Sequence, residues 1–317
     1  NGNITVSGDI KIATNSEYKE EAIGIAGCIG FKTSGSPSGK WENNGAITVD
    51  ATFSFDDDAN SGIHPIAVAG VYGPTSGIST NAECVNNGAI TFNGKYEGAK
   101  APIYIGGIYA GGNSENSYYN KTVSNAKNTG DITIGATAKT TKNVYVGGIQ
   151  AYSGSTTVPT SIENSGDINV DAKASIAGTL YVGGIYGRFA GGNLANLTNS
   201  GNINIAYTTN GKLCVGGIAS YNVAGKSVTD VVNKGNITLS GTFNKSVNVG
   251  GIFAEMASAN TSGTGLFTRV VNGELGANGK PLDNKGKITM SGTCSYDVSG
   301  NAGTGVNALS IAGLCAS

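Results

Sequence analysis

Residues 144–187 read VYVGGIQAYSGSTTVPTSIENSGDINVDAKASIAGTLYVGGIYG, and they contain the pattern that decides the fold. The stretch opens with VYVGGI and closes with YVGGIY, and NSGDINV lies between them. Both blocks recur on either side of this stretch, so the chain is built from internal repeats. Such repeats predict an array of similar units, each packed against its neighbours.

The first block has the pattern N-x-G-x-I-x-Φ, in which Φ is an apolar residue. Its glycine recurs at intervals of 43, 43, 42, 36, 35, 34 and 51 residues. After each glycine the residues alternate between polar and apolar, which predicts a strand with one buried face. The asparagine before the glycine predicts a corner, where glycine would supply a positive φ angle. The glycines are Gly2, Gly45, Gly88, Gly130, Gly166, Gly201, Gly235 and Gly286, and the asparagines are Asn43, Asn86, Asn128, Asn164, Asn199, Asn233 and Asn284.

The second block has the pattern Φ-x-Φ-G-G-Φ, as in IYIGGI (103–108), VYVGGI (144–149) and LYVGGI (180–185). Alternation runs up to the pair of small residues and then changes phase, which indicates a second strand that ends in a bend or bulge. A third, weaker strand precedes the corner, as in NLANLTN (193–199) and KSVTDVVN (226–233). The pattern therefore predicts three short strands in each repeat.

These patterns predict an all-β fold: a single-stranded parallel β-helix, or β-solenoid, of about eight coils with three short strands per coil. Stacked coils bury a shared core, so we expect isoleucine on isoleucine along the axis and a ladder of asparagine amides. An alternative count gives two smaller coils of about 18 residues per repeat. We expect one domain over residues 1–317, a segment of a longer surface protein, with the last coil (about 255–317) modified by an insertion at residues 272–282.

The composition argues against several classes of function. Charged residues make up 13% of the chain and the formal net charge is −1, which disfavours nucleic acid as a partner. The chain has no run of about 18 apolar residues, so no membrane span is expected in this segment. The sequence has five cysteines without a CxxC pair, which does not favour a zinc site.

The two blocks follow each other in a fixed order: V-G-G-I-x-G, then about a dozen residues, then N-x-G-x-I. This order resembles the GLUG-motif repeats of bacterial surface proteins. It is also similar to glycine- and asparagine-rich repeats on the outer surface of Bacteroidota. The resemblance covers nearly the whole chain, and it implies an extracellular, cell-surface location and a solenoid architecture. It implies no catalytic residues. This chain differs in having isoleucine where the GLUG motif often has leucine, and in having longer links between the blocks.

A row of tyrosines is the first candidate site. Tyr104, Tyr145 and Tyr181 occupy the same position of the second block in three successive repeats, where alternation points the side chain outward. Tyr109 and Tyr186 follow the bend. Exposed rings are suited to binding sugars or proteins, because they offer a large contact area at low entropic cost. The alternative is that the rings stack on one another and stabilise adjacent strands.

Acidic residues form the second candidate site. Asp56, Asp58 and Asn60 in FDDDANSG have the one-three-five spacing of a calcium loop, although Gly62 comes one residue late and Ala67 stands where such a loop has glutamate. Calcium is the one cofactor that the sequence offers. Asp131 and Asp167 recur in adjacent repeats at a separation that would suit a retaining glycosidase, but a turn role explains them as well.

Together these features predict an extracellular structural or adhesive repeat module that displays a rigid rod for binding or assembly. Its partners would be other surface proteins or glycans, through end-to-end or lateral assembly. One alternative is a glycan-binding subunit of a surface nutrient-uptake complex that uses the tyrosines. A second, less favoured alternative is a carbohydrate-cleaving β-helix enzyme. We expect no enzymatic activity, because no clustered carboxylates emerge from the pattern.

Overall fold

The computed structural model describes residues 2–12, 22–30, 38–55, 65–74, 82–97, 101–111, 123–154, 157–208, 210–223, 226–257, 266–274, 276–278, 280, 282, 284–294 and 309–315. Within these residues the chain forms β-strands, bends and turns, and it contains no helix. Every strand pairing is parallel, and the strands form four sheets. The all-β prediction is confirmed, and the stacked parallel sheets are consistent with a β-helix.

Strands are numbered in chain order. Sheet 1 contains β1 (Ile4–Ile12), β4 (Ile47–Phe55), β7 (Ile90–Phe92), β8 (Lys95–Tyr96), β11 (Ile132–Ile134), β12 (Lys139–Thr140), β16 (Ile168–Val170), β17 (Ser175–Ile176), β21 (Ile203–Ala206), β25 (Ile237–Phe243) and β29 (Ile288–Cys294). Sheet 2 contains β2 (Ile23–Ala26), β5 (Ile66–Ala69), β9 (Ile103–Gly106), β13 (Val144–Gly147), β18 (Leu180–Gly183), β22 (Leu213–Gly216), β26 (Val247–Gly250) and β30 (Leu309–Ala312). Sheet 3 contains β3 (Lys40–Asn43), β6 (Glu83–Asn86), β10 (Ala126–Asn128), β15 (Ile162–Asn164), β20 (Leu194–Asn199), β24 (Val228–Asn233) and β28 (Phe267–Asn272). Sheet 4 contains β14 (Gln150–Ser153), β19 (Tyr186–Phe189), β23 (Ala219–Val223) and β27 (Phe253–Ala257).

Successive repeats pair in the register that the glycine alignment predicts. In sheet 1 the isoleucine of the first block pairs with the same isoleucine of the next repeat all along the sheet. This column is Ile4, Ile47, Ile90, Ile132, Ile168, Ile203, Ile237 and Ile288. The six members from Ile47 to Ile237 are fully buried. Burying one isoleucine contributes about 1.5–3 kcal/mol, so the column holds the repeats in register.

The interior is divided into two hydrophobic cores. The first core lies between sheets 1 and 2 and contains side chains such as Ile47 and Val49 from sheet 1 and Ile66 and Val68 from sheet 2. The second core lies between sheet 3 and the segment that runs from the G-G-Φ bend into sheet 4. Because the bend separates the two cores, the phase of the alternation must change there, as the sequence indicates.

A ladder of asparagine amides runs along the corner between sheets 3 and 1. The Nδ2 atom of Asn43 donates to Oδ1 of Asn86 at 2.7 Å, and Asn86 donates in turn to Asn128 at 2.7 Å. The series continues through Asn164, Asn199, Asn233 and Asn272 at 2.8 Å per step. Each Nδ2 also donates to a glycine carbonyl of its own corner, for example Asn164 to Gly166 at 3.0 Å. These buried amides are therefore paired, as buried polar groups must be.

Most of the corner glycines are required by close approach rather than by backbone dihedral angles. Gly45, Gly88 and Gly130 do not have the positive φ angle that the sequence pattern predicted, so that prediction was wrong for them, whereas Gly286 of the last repeat does have a positive φ angle of 65°. A Cβ atom at Gly130 would lie 2.1 Å from the carbonyl oxygen of Gly88 in the neighbouring repeat. The glycines stack directly on one another, and the stacking leaves no space for a side chain.

The two repeated blocks contact each other at this corner. A Cβ atom at Gly148, the second glycine of the G-G pair, would lie 2.5 Å from Cγ of Asn164 and 2.1 Å from the carbonyl oxygen of Gly184. The same relationship holds in the other repeats, for example between Gly107 and Asn128. The asparagine ladder therefore packs against a column of glycines, and this explains why both blocks recur together.

The last repeat corrects one part of the alignment. Asn272, and not Asn284, continues the asparagine ladder, and its Nδ2 donates to the carbonyl oxygen of Gly286 at 2.9 Å. Gly273 takes the middle position of the corner, since its N–H donates to Asn233 as the N–H of Lys234 donates to Asn199. Residues 274–285 are consequently an insertion within the N-x-G corner itself. The predicted insertion at 272–282 was close, but it placed the wrong asparagine in the ladder.

Candidate functional site

The tyrosines of the second block form a stack across three strands of sheet 2. Tyr104, Tyr145 and Tyr181 are register partners on β9, β13 and β18. The ring centroids of Tyr104 and Tyr145 are 5.2 Å apart with an interplanar angle of 10°, and those of Tyr145 and Tyr181 are 4.8 Å apart at 3°. The stack is flanked by Ala67 on one side and Cys214 on the other. The stacking that the sequence offered as an alternative is therefore present.

The rings are less exposed than alternation predicted. Tyr104 and Tyr145 are 2% and 5% exposed, and Tyr181 is half-buried. The Tyr152 ring of β14 packs edge-on against both Tyr104 and Tyr145, with centroid distances of 6.4 and 5.8 Å. Ala110 and Ala151 join the same cluster. Residues that follow the bend thus cover the outer face of sheet 2, and the prediction that this face is open was wrong.

Tyr109 and Tyr186, the other two predicted binding residues, lie inside the second core. Both are 0% exposed. The Tyr186 hydroxyl is fully buried, no group of the described residues forms a hydrogen bond with it, and burial raises its pKa. Both belong to the same buried cluster as sheet 3 residues such as Ala126 and Leu197. Neither ring presents a face to solvent, so a ligand could reach neither without rearrangement of the core.

Sheet 4 places a second column of side chains opposite the tyrosine stack. This column contains Tyr152, Arg188, Tyr221 and Glu255 on β14, β19, β23 and β27. The guanidinium of Arg188 lies 4.4 Å from the centroid of the Tyr221 ring and 5.6 Å from that of Tyr152. Such cation–π contacts contribute about 0.5–2 kcal/mol, more where the cation is desolvated. Arg188 and Tyr221 are half-buried, so this column reaches the surface.

A small polar cluster continues the stack beyond Tyr181. Lys212 and Asn248 both donate to Oε1 of Glu255. Cys214 lies fully buried between Tyr181 and Asn248 in the sheet 2 register. Burial, followed by the charge of Glu255, raises the pKa of the Cys214 thiol, so this cysteine is a poor nucleophile. The half-buried ring of Tyr181 therefore has polar and charged groups close to it, and the hydroxyl of its neighbour Tyr145 lies 3.5 Å from Nδ2 of Asn143.

The acidic candidates divide into two groups. Asp56, Asp58 and Asn60 lie outside the described residues, and the part of the chain that the structure describes has no group of three or more His, Cys, Asp or Glu side chains able to hold a metal ion. Asp131 accepts a hydrogen bond from the backbone N–H of Asp167 at 2.8 Å. Asp167 in turn accepts from the N–H of Asn202 at 2.7 Å. The two carboxylates thus connect successive repeats.

A shallow groove on the outer face of sheet 3 was not foreseen. It has a volume of about 490 Å³ and is lined by residues that include Glu163, Thr198 and Val271. Asn196, Asp230 and Arg269 on this face have positive φ angles of 57°, 54° and 51°, and Arg269 forms an ion pair with Asp230. A signal was present in the sequence, because the apolar spacing of LANLTN and VTDVVN departs from alternation and thereby indicates a bulge.

Comparison of the chain with protein-family models, with curated proteins and with solved structures gave no match. Among the described residues there is no helix that is long and apolar enough to cross a membrane.

Proposed function

We propose that the chain is a β-solenoid of about eight coils with three short strands per coil, to which sheet 4 adds a further strand in some coils. The continuous register of the isoleucine column in sheet 1 supports this count. Sheets 2 and 3 follow the same order of repeats. One large coil per repeat also fits the contact between Gly148 and Asn164, because both blocks then belong to a single coil.

We propose that this solenoid is an extracellular cell-surface module with a structural or adhesive role, without catalytic activity. The observation that carries the proposal is the uninterrupted asparagine ladder from Asn43 to Asn272. A ladder backed by parallel sheets stiffens the stack along its axis, which suits a protein that holds loops or partners away from a surface. The GLUG-like order of the two blocks, as found in Bacteroidota-type surface proteins, supports the same location.

The test is antibody labelling of intact, unpermeabilised source cells, combined with protease treatment of those cells. A surface module is labelled without permeabilisation and is removed by the protease. Labelling that requires permeabilisation, with full protection from the protease, would contradict the proposed location. Adhesion is then measured with the purified chain on beads, and beads coated with a heat-unfolded sample serve as the control.

A second candidate, a glycan-binding subunit of a surface nutrient-uptake complex, is favoured by the surroundings of Tyr181. Its half-buried ring lies beside Arg188 and Glu255, and aromatic rings with nearby polar groups bind sugars. A glycan array, run with calcium and again with a chelator, tests this function. Specific binding that Tyr181→Ala abolishes and Tyr152→Phe retains would support it. A blank array would leave the structural or adhesive role, and calcium dependence would implicate Asp56, Asp58 and Asn60.

A carbohydrate-cleaving enzyme is the weakest of the three hypotheses. The carboxylates of Asp131 and Asp167 accept backbone hydrogen bonds from the next repeat, which gives both a structural role. Release of reducing ends from a panel of polysaccharides would overturn the proposal of a non-catalytic module. We expect no release above that of a heat-inactivated sample.

A further inference from the structure

One carboxylate on sheet 4 contacts both an amine and a side-chain amide of sheet 2. Nζ of Lys212 forms an ion pair with Oε1 of Glu255, and Nδ2 of Asn248 donates to the same oxygen atom. Two nitrogen atoms that both contact one oxygen at hydrogen-bond distance lie within about 6 Å of each other. The three side chains therefore bring an amine, an amide and a carboxyl group together.

The strand register holds these groups in place. Asn248 on β26 is the register partner of Cys214 on β22, and Lys212 lies two residues before Cys214 in the chain. Glu255 reaches both side chains from β27 of sheet 4. Because β22 and β26 are neighbours in sheet 2, Lys212 and Asn248 belong to successive repeats.

The cluster is less exposed to water than an ordinary surface ion pair. Asn248 is 7% exposed, and the side chain of Glu255 is 17% exposed. The fully buried Cys214 and the half-buried Tyr181 lie beside Glu255. Surroundings of this kind disfavour separated charges, and so they favour the transfer of a proton from an ammonium group to a neighbouring carboxylate.

We propose that Lys212 and Asn248 become joined by an isopeptide bond, with Glu255 transferring the protons. Glu255 accepts a proton from the Lys212 ammonium, and the neutral Nζ attacks Cγ of Asn248. Glu255 then donates its proton to Nδ2 and accepts a second proton from Nζ, and the Cγ–Nδ2 bond breaks. The ammonia that leaves takes the last proton from Glu255 and becomes ammonium, so atoms and charges balance without a further reactant.

The arrangement fits this reaction because the attacking and the leaving nitrogen contact the same carboxyl oxygen. A group that is positioned on both nitrogen atoms can act first as a base and then as an acid. Desolvation disfavours the charge on Lys212, but contacts with Glu255 and Cys214 outweigh it and raise the pKa of Lys212. The reaction therefore starts from the ion pair and is slow. Its product links two successive repeats covalently, and it does not depend on the surface role proposed above.

A similar trio on the outer face of sheet 3 provides an internal comparison. Lys40 forms an ion pair with Oε2 of Glu42 at 3.0 Å, and Asn87 donates to Oε1 of Glu42 at 3.2 Å. Here the two nitrogen atoms contact different oxygen atoms, and all three residues are exposed. We expect no isopeptide bond between Lys40 and Asn87.

The experiment measures the mass of the intact, folded chain at successive times after purification, and then the masses of its tryptic peptides. We expect a loss of one ammonia from the chain. We also expect residues 189–226 to be joined to residues 246–269, because trypsin does not cleave after an acylated lysine. An unchanged mass at all times, with full cleavage after Lys212, would overturn the proposal. A loss of ammonia that maps to an Asn-Gly pair such as Asn44-Gly45 indicates a succinimide and would overturn it equally.

Variants separate the reaction from a purely structural ion pair. Lys212→Arg keeps the positive charge beside Glu255, but a guanidinium stays protonated and does not attack, so the loss of ammonia should disappear. Glu255→Gln cannot transfer the protons and should slow the loss at least tenfold. Lys234→Arg replaces the lysine of a different ion pair, with Glu274, and as the matched control it should react as the parent chain does. If Glu255→Gln does not fold, Lys212→Arg gives the test alone, and a cross-link between the same two peptides in that variant would contradict the proposal.

Discussion

The side chain of Asn164 packs directly against Gly148, sixteen residues earlier in the chain, with no space for a Cβ atom between them. This contact joins the G-G block to the N-x-G block within one repeat. It also places the asparagine where it can donate to Asn199 of the next repeat at 2.8 Å. Gly148 thus leaves the space in which the Asn164 amide can continue the ladder to the next repeat.

Gly148→Ala is expected to destabilise the protein strongly, by about 2–4 kcal/mol, because its Cβ would overlap both a backbone oxygen and the Asn164 amide. Gly313→Ala is the matched control. Gly313 occupies the same position of the motif in the last repeat, and a Cβ there meets no atom within 4 Å. Urea unfolding of both variants checks the prediction. Equal losses of stability would show that the stacking contact does not explain the glycine.

Asn164→Ala should lower the free energy of unfolding by about 2–4 kcal/mol. The substitution leaves Nδ2 of Asn128 and Oδ1 of Asn199 buried without their partners, and each such group costs about 1–3 kcal/mol. Asn204→Ala is the control. Asn204 likewise forms an amide hydrogen bond between repeats, in this case by donating to Asn169 of the preceding repeat, but its side chain is only partly buried. It should cost less than about 0.5 kcal/mol. A small loss of stability in Asn164→Ala would mean that water forms the hydrogen bonds that the Asn164 side chain had made.

Tyr186→Phe is expected to stabilise the protein, by about 1 kcal/mol, because the Tyr186 hydroxyl is buried and has no hydrogen-bond partner in the part of the chain that the structure describes. Tyr207→Phe should have the opposite effect. The Tyr207 hydroxyl donates to the carbonyl oxygen of Ile176 at 2.7 Å and accepts from its N–H at 3.0 Å. Thermal unfolding of the two variants against the parent chain measures the difference. Destabilisation by Tyr186→Phe would indicate a hidden partner, such as a buried water molecule.

Stability should decrease at alkaline pH. Burial raises the pKa of Cys84 from the ordinary value of 9.0 to about 12, and burial also raises the pKa of Tyr186. A group whose pKa is higher in the folded state contributes stability that is present below its unfolded pKa and lost as pH rises toward the folded pKa. The free energy of unfolding should therefore fall above about pH 9. Chemical denaturation between pH 7 and 11 tests this prediction, and Cys84→Ala should reduce the slope of the free energy of unfolding against pH between about pH 9 and 11.

The repeat spacing was enough to predict the pairing register, the isoleucine column and the asparagine ladder, because each depends on identical residues meeting in successive repeats. The tyrosine environment was not predictable in the same way. Alternation says which face of a strand Tyr145 occupies, but it does not say that Tyr152 returns to cover that face. The corner at Asn272 was misaligned for a related reason, since an insertion inside the N-x-G motif makes Asn284 look equivalent.

The measurement that tests the stacked arrangement most directly is the distance between spin labels placed along the outward column of sheet 1. Thr5 is labelled together with position 204, 238 or 289, which lie five, six and seven strands away in register. With a spacing of about 4.8 Å per strand, pulsed electron paramagnetic resonance should give distances near 24, 29 and 34 Å. A regular increase of about 5 Å per repeat is the predicted result. Distances that do not increase in this order would contradict the in-register stack on which the proposed rod depends.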